Sequence, residues 1–565
     1  MSTPTAELSP APTSLRTAPA PPLAARLTPA RLYGLLAGVS ILVGALSLLF
    51  PSTPSYDPWS WLIWGREIIH LDLHTTGGPT WKPLTVILTT IFALFGGAQP
   101  SLLLVASRAG AVMAVAMTFR IAWRIARPLA AEAAGEEAGR WALVPAALAA
   151  AVAAASLVNS PSFITDNGLG YSEGLMTALV LVALDRHLDG ARRQAFAVGF
   201  FAALDRPELW LLWGPYGLYL WWRDPGARRL VAALFVLIPV LWFLPEYWGS
   251  GHLLRGVTRA HHPRSNSAAF ASCPFCTEFV HHAWPRVMLR VKGVGLGAMA
   301  VAAWGLWATR GLWWRRSPLP GAARARLLLL LAGAVGWLWW IGVSVETQAG
   351  FSGNDRYLVL GSALVAISGG VGWGWAAAAV AGWLRRLAER GGAGWPRRLA
   401  LGARARGRTG VAAATVAGTG LALAVGLGTP PWIGPSVVDL PATHRALVYQ
   451  AHLRQDLGAA IRELGGPARV LRCGTVMTEG FQVPMVAYDL GVKMLRVQAP
   501  PTPPPGQVAP APWPNVIFQA RDTRHAALLP LPAQIRAWER DGARYTFRHI
   551  RTFYVFSDCR SSGRS

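Results

Sequence analysis

Between Arg31 and Gly428 the chain runs through one apolar stretch after another, several of them near the twenty residues a helix needs to cross hydrocarbon. A chain built this way must satisfy its backbone inside a bilayer, as helices. Composition agrees: only 14% of residues are charged, where a soluble domain carries nearer a quarter, and mean hydropathy is +0.33. The spans fall at roughly 31–50, 101–123, 141–158, 173–187, 193–205, 208–222, 229–247, 291–309, 326–345, 358–383 and 410–428. The expected fold is therefore a polytopic α-helical membrane protein of about eleven transmembrane helices.

The segment Leu84–Ala98 is apolar too, but its 15 residues reach only about 22 Å as a helix, against a hydrocarbon core of about 30 Å. Charge decides its place. The formal net charge is +25, and Lys82, Lys292 and Lys493 are the only lysines, so the excess is arginine. If Leu84–Ala98 does not span, the basic connectors Arg120/Arg124/Arg127, Arg186/Arg192/Arg193, Arg223/Arg228/Arg229, Arg310/Arg315/Arg316/Arg323/Arg325 and the run Arg385–Arg408 share one side. Two of the opposite connectors are poor in cations: Asn159–Ser172 has none and Glu346–Tyr357 only Arg356. By the positive-inside rule the arginine side is cytoplasmic. Leu84–Ala98 becomes a juxtamembrane or re-entrant helix, the N-terminus lies inside and the C-terminus outside. The same distribution makes nucleic acid an unneeded explanation of the charge. Residues 1–30, rich in Pro, Ala, Ser and Thr and lacking a basic region ahead of a short apolar core, read as a disordered cytoplasmic tail.

From residue 430 the apolar pattern stops, and 430–565 is expected to be a small extracytoplasmic α/β domain. His444–Leu464 reads as an amphipathic helix ended by Gly465-Gly466, and Pro530–Asp541 as a second helix. Ala468–Arg472, Val492–Gln498, Asn515–Ala520 and Tyr545–Phe556 read as strands, and Pro500–Pro514 as a loop. Cys473 and Cys559 each end a predicted strand and would pair in an oxidising compartment; two free thiols are the alternative.

Chemistry is expected in the first outer loop, residues 51–100, which is longer than a connector requires. It carries Tyr56-Asp57-Pro58-Trp59-Ser60-Trp61, Trp64-Gly65-Arg66-Glu67 and Trp81-Lys82-Pro83-Leu84. Residue types alone fit an interfacial helix with its tryptophans among the headgroups.

The order of features, however, resembles the GT-C superfamily of membrane glycosyltransferases, and is similar to the lipid A aminoarabinose transferases and protein mannosyltransferases. In that family a first span leads to a long outer loop with an acid, and a Lys-Pro or His-Pro pair opens a juxtamembrane helix ending in Phe-Gly. Here these are Asp57, Lys82-Pro83 and Phe95-Gly96. Arg108 stands at the start of the next span, Ser160-Pro161 and Asp166 in the second outer loop, and Leu204-Asp205-Arg206-Pro207-Glu208 where a short span ends. The resemblance covers about residues 31–225, and more loosely Asn354–Tyr357. It departs from the commonest pattern in having a single acid beside proline instead of a paired acidic motif.

The resemblance implies a GT-C-like transmembrane domain over 31–428 and transfer of a sugar from a polyprenyl-phosphate donor to an envelope glycan or lipid acceptor. It requires no cofactor. Such a transfer needs a carboxylate for the acceptor hydroxyl, read as Asp57 with Glu67 as substitute. It also needs cations for the leaving phosphate, read as Lys82, Arg206 and Arg356. Asp166, Glu173 and Arg108 are read as substrate contacts. Each has a plainer reading: Asp166 and Glu173 as polar loop residues, Arg206 paired with Glu208, and Arg356 paired with Asp355 or anchoring the interface.

The loop from Gly249 to Pro285 holds Cys273-Pro274-Phe275-Cys276 with His281 and His282 close behind. The residue types and spacing fit a structural zinc site, a local disulfide, or free thiols. Two further function classes stand against the enzyme: a lipid or polymer transporter, and a non-catalytic envelope-assembly scaffold. No internal repeat and no midplane cluster of polar residues favours transport, and no Gly-rich phosphate loop favours a soluble nucleotide sugar. The topology predicts that alkaline phosphatase fused after Tyr357 or Phe556 is active and after Arg223 inactive. Activity at all three positions would overturn it.

Overall fold

The computed structural model describes residues 28–263, 267–310, 320–390, 408–427, 438–500, 513–520 and 532–559. The tail 1–27, most of the arginine run 391–407 and the proline-rich loop 501–512 lie outside the described residues. The chain is a multi-pass helical membrane protein with a small C-terminal sheet.

The helices are α1 (Pro29–Leu46), α2 (Tyr56–Ile69), α3 (Pro83–Ala93), α4 (Gln99–Ala134), α5 (Leu143–Val158), α6 (Phe163–Gly168), α7 (Glu173–Leu188), α8 (Arg192–Ala203), α9 (Trp210–Arg223), α10 (Arg228–Ser250), α11 (Arg255–Ala260), α12 (Leu289–Ala308), α13 (Gly321–Gln348), α14 (Val359–Arg390) and α15 (Arg408–Leu427). A helix stands at each of the eleven expected spans, and among the described residues seven are long and apolar enough to cross a membrane by themselves. The shortest, α8, has 12 residues, about 18 Å of helix. Central to the bundle is α14, packed against α4, α5, α12, α13 and α15. Alanines line the facing side of α5, and a Cβ at Gly370 or Gly374 would stand 2.3 Å from the Ala149 or Pro145 carbonyl oxygen. Close backbone approach of this kind is how helices gain contact where lipid offers no hydrophobic driving force.

Helix α3 starts on Pro83, whose missing N–H costs nothing at a helix's first position. Its 11 residues give about 16 Å, too short to span, and a 3₁₀ turn follows at Gly96–Ala98. The far end of the bundle carries the arginines. Asp185, fully buried near the end of α7, accepts from Arg120 Nε at 2.8 Å, from Arg124 Nη1 at 2.5 Å and from the Tyr33 hydroxyl. The α8–α9 turn, by contrast, lies with the start of α7 at the opposite end.

The C-terminal region continues with α16 (Leu440–Glu463), α17 (Pro467–Cys473), β1 (Val476–Thr478), α18 (Val483–Leu490), β2 (Val497–Gln498), β3 (Val516–Ala520), α19 (Pro532–Arg540), β4 (Thr546–Ile550) and β5 (Phe553–Ser557). The sheet order is β2-β1-β3-β5-β4; β1 is parallel to both neighbours, and β5 antiparallel to β3 and β4. Three strand expectations need correction. Ala468–Arg472 is helical, because Pro467 sits at N1 and Gly466 and Gly474 take positive φ on either side. Of Val492–Gln498 only the last two residues pair, after a 3₁₀ turn. Tyr545–Phe556 is a hairpin, reversing at Arg551 with φ 52°. Cys473 and Cys559 are disulfide-bonded, as are Cys273 and Cys276.

The tryptophans of α2 are not in a headgroup layer. Trp59, Trp61 and Trp64 are at most 1% exposed, in a core shared with Leu457, Val486 and Phe553 of the C-terminal region. Trp59 packs on Tyr488 at 4.8 Å, and Arg66 donates to the Val492 carbonyl at 2.9 Å. Lys493 reaches back to Asp72 at 2.7 Å. The interfacial-helix reading fails because the C-terminal domain supplies the cover. Cys559→Ser is expected to lower the stability of this domain by about 2–4 kcal/mol, since it opens a closure of 86 residues in sequence; near-UV circular dichroism against denaturant measures it.

Candidate functional site

Three separate segments arrive at the start of α7. The first is the turn into α3, where Lys82 is N-cap and the Leu84 N–H donates to the Leu204 carbonyl at 3.2 Å. The second is the α8–α9 connection carrying Asp205, Arg206 and Glu208. The third is the turn Asp355–Leu358 ahead of α14, carrying Arg356. Their common partner is Glu173, 1% exposed. Its Oε1 accepts from Lys82 Nζ at 3.0 Å and Arg206 Nη2 at 3.0 Å, with Arg356 Nε at 3.5 Å. Lys82 also donates to Ser172 Oγ at 2.9 Å and lies 3.7 Å from Asp205, which itself accepts from Thr85 and Ser172 at 3.1 Å each.

Arg356 reaches in the other direction as well: its Nη2 is 2.5 Å from Asp57 Oδ2 in the first turn of α2. The two arginines are held by rings, Arg206 over Tyr357 at 3.5 Å and Arg356 over Tyr171 at 4.1 Å. Asp57, Lys82, Arg206 and Arg356 all line one cavity of about 590 Å³. Its apolar wall comes from Trp210 and Leu211 of α9, Trp242 and Phe243 of α10, and Leu254 beyond. Leu211 and Leu254 are 79% and 58% exposed, so this wall runs out onto the apolar exterior of the bundle. Phe481 enters from the C-terminal domain.

The remaining expected site residues lie elsewhere. Glu67 is buried away from the cavity and accepts from the His74 N–H at 2.9 Å; burial lifts its carboxyl to about 7. Arg108 ties the Ser47 carbonyl (3.0 Å) and the Gly168 carbonyl (2.8 Å) together. Asp166 has its Oδ2 sealed from solvent without a hydrogen-bond partner among the described residues, and burial, with Asp355 adding to it, pushes its carboxyl well above the usual range. Glu173 lies beneath the cations and not on the cavity wall. The ion pair Arg206–Glu208 exists at 3.1 Å alongside the contact to Glu173. The pairing Arg356–Asp355 does not form: Asp355 accepts from Ser162 at 2.6 Å and faces Arg286 at 3.4 Å, leaving Arg356 to Asp57. With their sulfurs bonded to each other, Cys273 and Cys276 offer no thiolate to zinc, and His282 pairs with Glu278 at 2.7 Å. His281 joins no such pair, and among the described residues no group of three His, Cys, Asp or Glu could hold a metal.

Sequence reasoning passed over Ser172, Arg286, Tyr171, Tyr357 and Phe481. Ser172 and Tyr171 have no motif to mark them, Tyr357 is marked only by the Arg-Tyr pair ahead of its span and given no role there, and Phe481 belongs to a segment with no resemblance to lead to it. Arg286 carried only a weak signal, one of five arginines in the outer loop 248–290, close to the span it precedes.

No family model matches the chain, and no curated protein matches it. Among solved structures the chain is similar to the crystal structure of ArnT from Cupriavidus metallidurans in the apo state, at 16% identity, covering 94% of this chain and 98% of that one, with a TM-score of 0.39. At that score the likeness carries no argument about the site. Glu173→Ala removes the buried carboxylate shared by Lys82, Arg206 and Arg356, and breaking a buried ion pair costs about 3–5 kcal/mol. It is expected to lower the thermal midpoint of the purified protein clearly more than Glu208→Ala, whose carboxylate is 19% exposed; equal shifts would refute the central place given to Glu173.

Proposed function

We propose that this chain is a membrane glycosyltransferase that moves a sugar from a polyprenyl-phosphate donor to a cell-envelope glycan or lipid acceptor on the outer face of a bacterial membrane, with a cytoplasmic N-terminus. The observation that carries the reading is the Asp57–Arg356 pair in a cavity that also receives Lys82 and Arg206 and has a lipid-facing apolar wall. A polyprenyl phosphate has the matching parts: a chain for the apolar wall and an anion for the guanidinium groups, which suit bidentate phosphate contact.

The steps follow from the residues. Arg356 neutralises Asp57 through their ion pair. A donor phosphate competes for Arg356 and frees the carboxylate. Asp57 then takes the proton of the acceptor hydroxyl, whose oxygen bonds to the anomeric carbon as the bond from that carbon to the phosphate oxygen breaks. The electron pair leaves with polyprenyl phosphate, on which Arg356 and Arg206 stabilise the developing charge. Arg206 is held at the cavity wall by Glu208 at 3.1 Å and Glu173 at 3.0 Å, so it acts through its fixed charge. Lys82 is spoken for by Ser172, Glu173 and Asp205, so its contribution is to hold the turn into α3 as well as to add field.

A transporter would put its polar groups near the midplane; here they gather at one end of the helices, where α3, α7 and α14 begin. Asp57→Asn is expected to reduce transfer by about 10²–10⁴-fold with polyprenyl-phosphate binding retained, and Arg356→Ala to weaken that binding. The assay is transfer of tritiated sugar from polyprenyl-phosphoryl sugars to envelope acceptors in nanodiscs. Wild-type rates in Asp57→Asn would remove the assignment.

A further inference from the structure

A second cavity, of about 620 Å³, opens on the C-terminal domain, and its lining sets Arg454, Arg462 and Arg551 against one acid, Asp489. None of these residues lines the cavity of Asp57 and Arg356. Arg454, Gly458 and Arg462 stand four residues apart along α16, so they share one face of that helix. A Cβ on Gly458 would meet Arg462 Nη1 at 3.4 Å, which places this guanidinium back over the glycine, toward Arg454. Arg454 is held over the Trp59 ring at 4.5 Å and donates to Asp489 at 3.3 Å.

The third arginine arrives by another route. Only Arg551 and Thr552 join β4 to β5, whose last pair is Ile550 with Phe553. Two-residue hairpin loops favour glycine, asparagine or aspartate where φ is positive, yet Arg551 takes φ 52°. Asp456 of α16 ties the turn down, accepting from Arg551 Nη1 at 3.1 Å and from Thr552 Oγ1 at 3.0 Å. A strained residue persists where its surroundings over-determine it. Here they set an arginine in the cavity wall with its side chain still 60% exposed. Arg454 and Arg551 each meet one carboxylate, and Arg462 forms no ion pair among the described residues. Each guanidinium carries five N–H donors, so the wall keeps ample capacity for an anion.

We infer that this cavity is a second anion site, in which Arg454, Arg462 and Arg551 take a phosphate group. A carboxylate offers two oxygens in one plane, whereas the oxygens of a phosphate point to the corners of a tetrahedron. Guanidinium groups reaching in from α16 and from the hairpin meet such an anion on separate sides. The volume lies in the range of small-molecule sites, so the phosphate comes attached to a larger group, a lipid headgroup or a phosphorylated glycan. The inference does not depend on the glycosyltransferase reading, because the site lies outside the cavity of Asp57.

The test is hydrogen exchange read by mass spectrometry on the full chain in nanodiscs, with inorganic pyrophosphate as soluble probe. In nanodiscs of phosphatidylcholine alone, pyrophosphate is expected to protect the peptides spanning 454–467 and 546–557. Peptides carrying Arg206 and Arg356 report the other cavity separately. Arg462→Gln and Arg551→Gln are each expected to raise the half-saturating concentration at the first two peptides about tenfold or more. Arg551→Gln also loosens the hairpin, so Arg462→Gln decides: with no ion pair to lose, its thermal midpoint is expected to stay at the wild-type value. Protection in discs of equal parts phosphatidylcholine and phosphatidylglycerol without pyrophosphate makes a headgroup the source. Protection by pyrophosphate alone makes it a phosphorylated glycan. No protection from either probe overturns the site, as does a half-saturating concentration that Arg462→Gln leaves unchanged.

Discussion

Glu173 sits at the first position of α7, out of water, with Lys82 and Arg206 each 3.0 Å from one of its oxygens and Arg356 at 3.5 Å. Removing that many charges from water is expensive, and an isolated carboxylate at this depth would not stay ionised. Shared among cations from three segments, the charge instead fixes those segments relative to one another. The turn into α3, the α8–α9 connection and the turn before α14 are distant in sequence, and Glu173 is the point at which they meet. Arg356 carries the constraint one step further. Its other nitrogen holds Asp57, so the first turn of α2 is placed by a residue at the start of α7.

Above this ionic floor the structure is closed by apolar contact. Helix α2 is buried along its middle, its three central tryptophans lying between α3 and the sheet domain. A Cβ on Gly65 would stand 2.6 Å from the Thr89 carbonyl oxygen, so α2 and α3 touch backbone to backbone. That proximity sets Asp57 and Lys82 at one cavity even though they come from different helices. Each tryptophan buries roughly 150–250 Å², and Arg66, Lys493 and Tyr488 add polar contacts around the margin. The C-terminal domain is therefore part of the site's construction and not an appendage to it.

The membrane helices were legible because their signal is long and repeated: apolar runs bounded by arginines, with Leu84–Ala98 too short to span. The convergence of Asp57, Lys82, Arg206 and Arg356 was legible only as an order of motifs, since nothing local in a sequence says that Glu173 binds three cations. The sheet domain was read least well. Ala468–Arg472 has strand-like residues, but Pro467 and two flanking glycines override propensity, and β1 is three residues long, below what alternation can reveal. Asp355 was paired with Arg356 by adjacency; the structure gives it to Ser162 and Arg286, because neighbours in a tight turn point to different sides.

Under the proposed function, those different sides let Arg356 serve as a switchable counter-ion. A cation bound to one carboxylate alone has little reason to leave it. Arg356 lies between Asp57, which lines the cavity, and Glu173, which lies beneath it, with its guanidinium over the Tyr171 ring. An anion entering the cavity can draw the Asp57 side of the guanidinium away while Glu173 and the ring keep it in place. The reorganisation is small, because the charges are already positioned, and it exposes a carboxylate only when a phosphate is present to take its partner. Under the proposed reading, the buried ionic floor both assembles the cavity and ties the release of the base to the arrival of the donor.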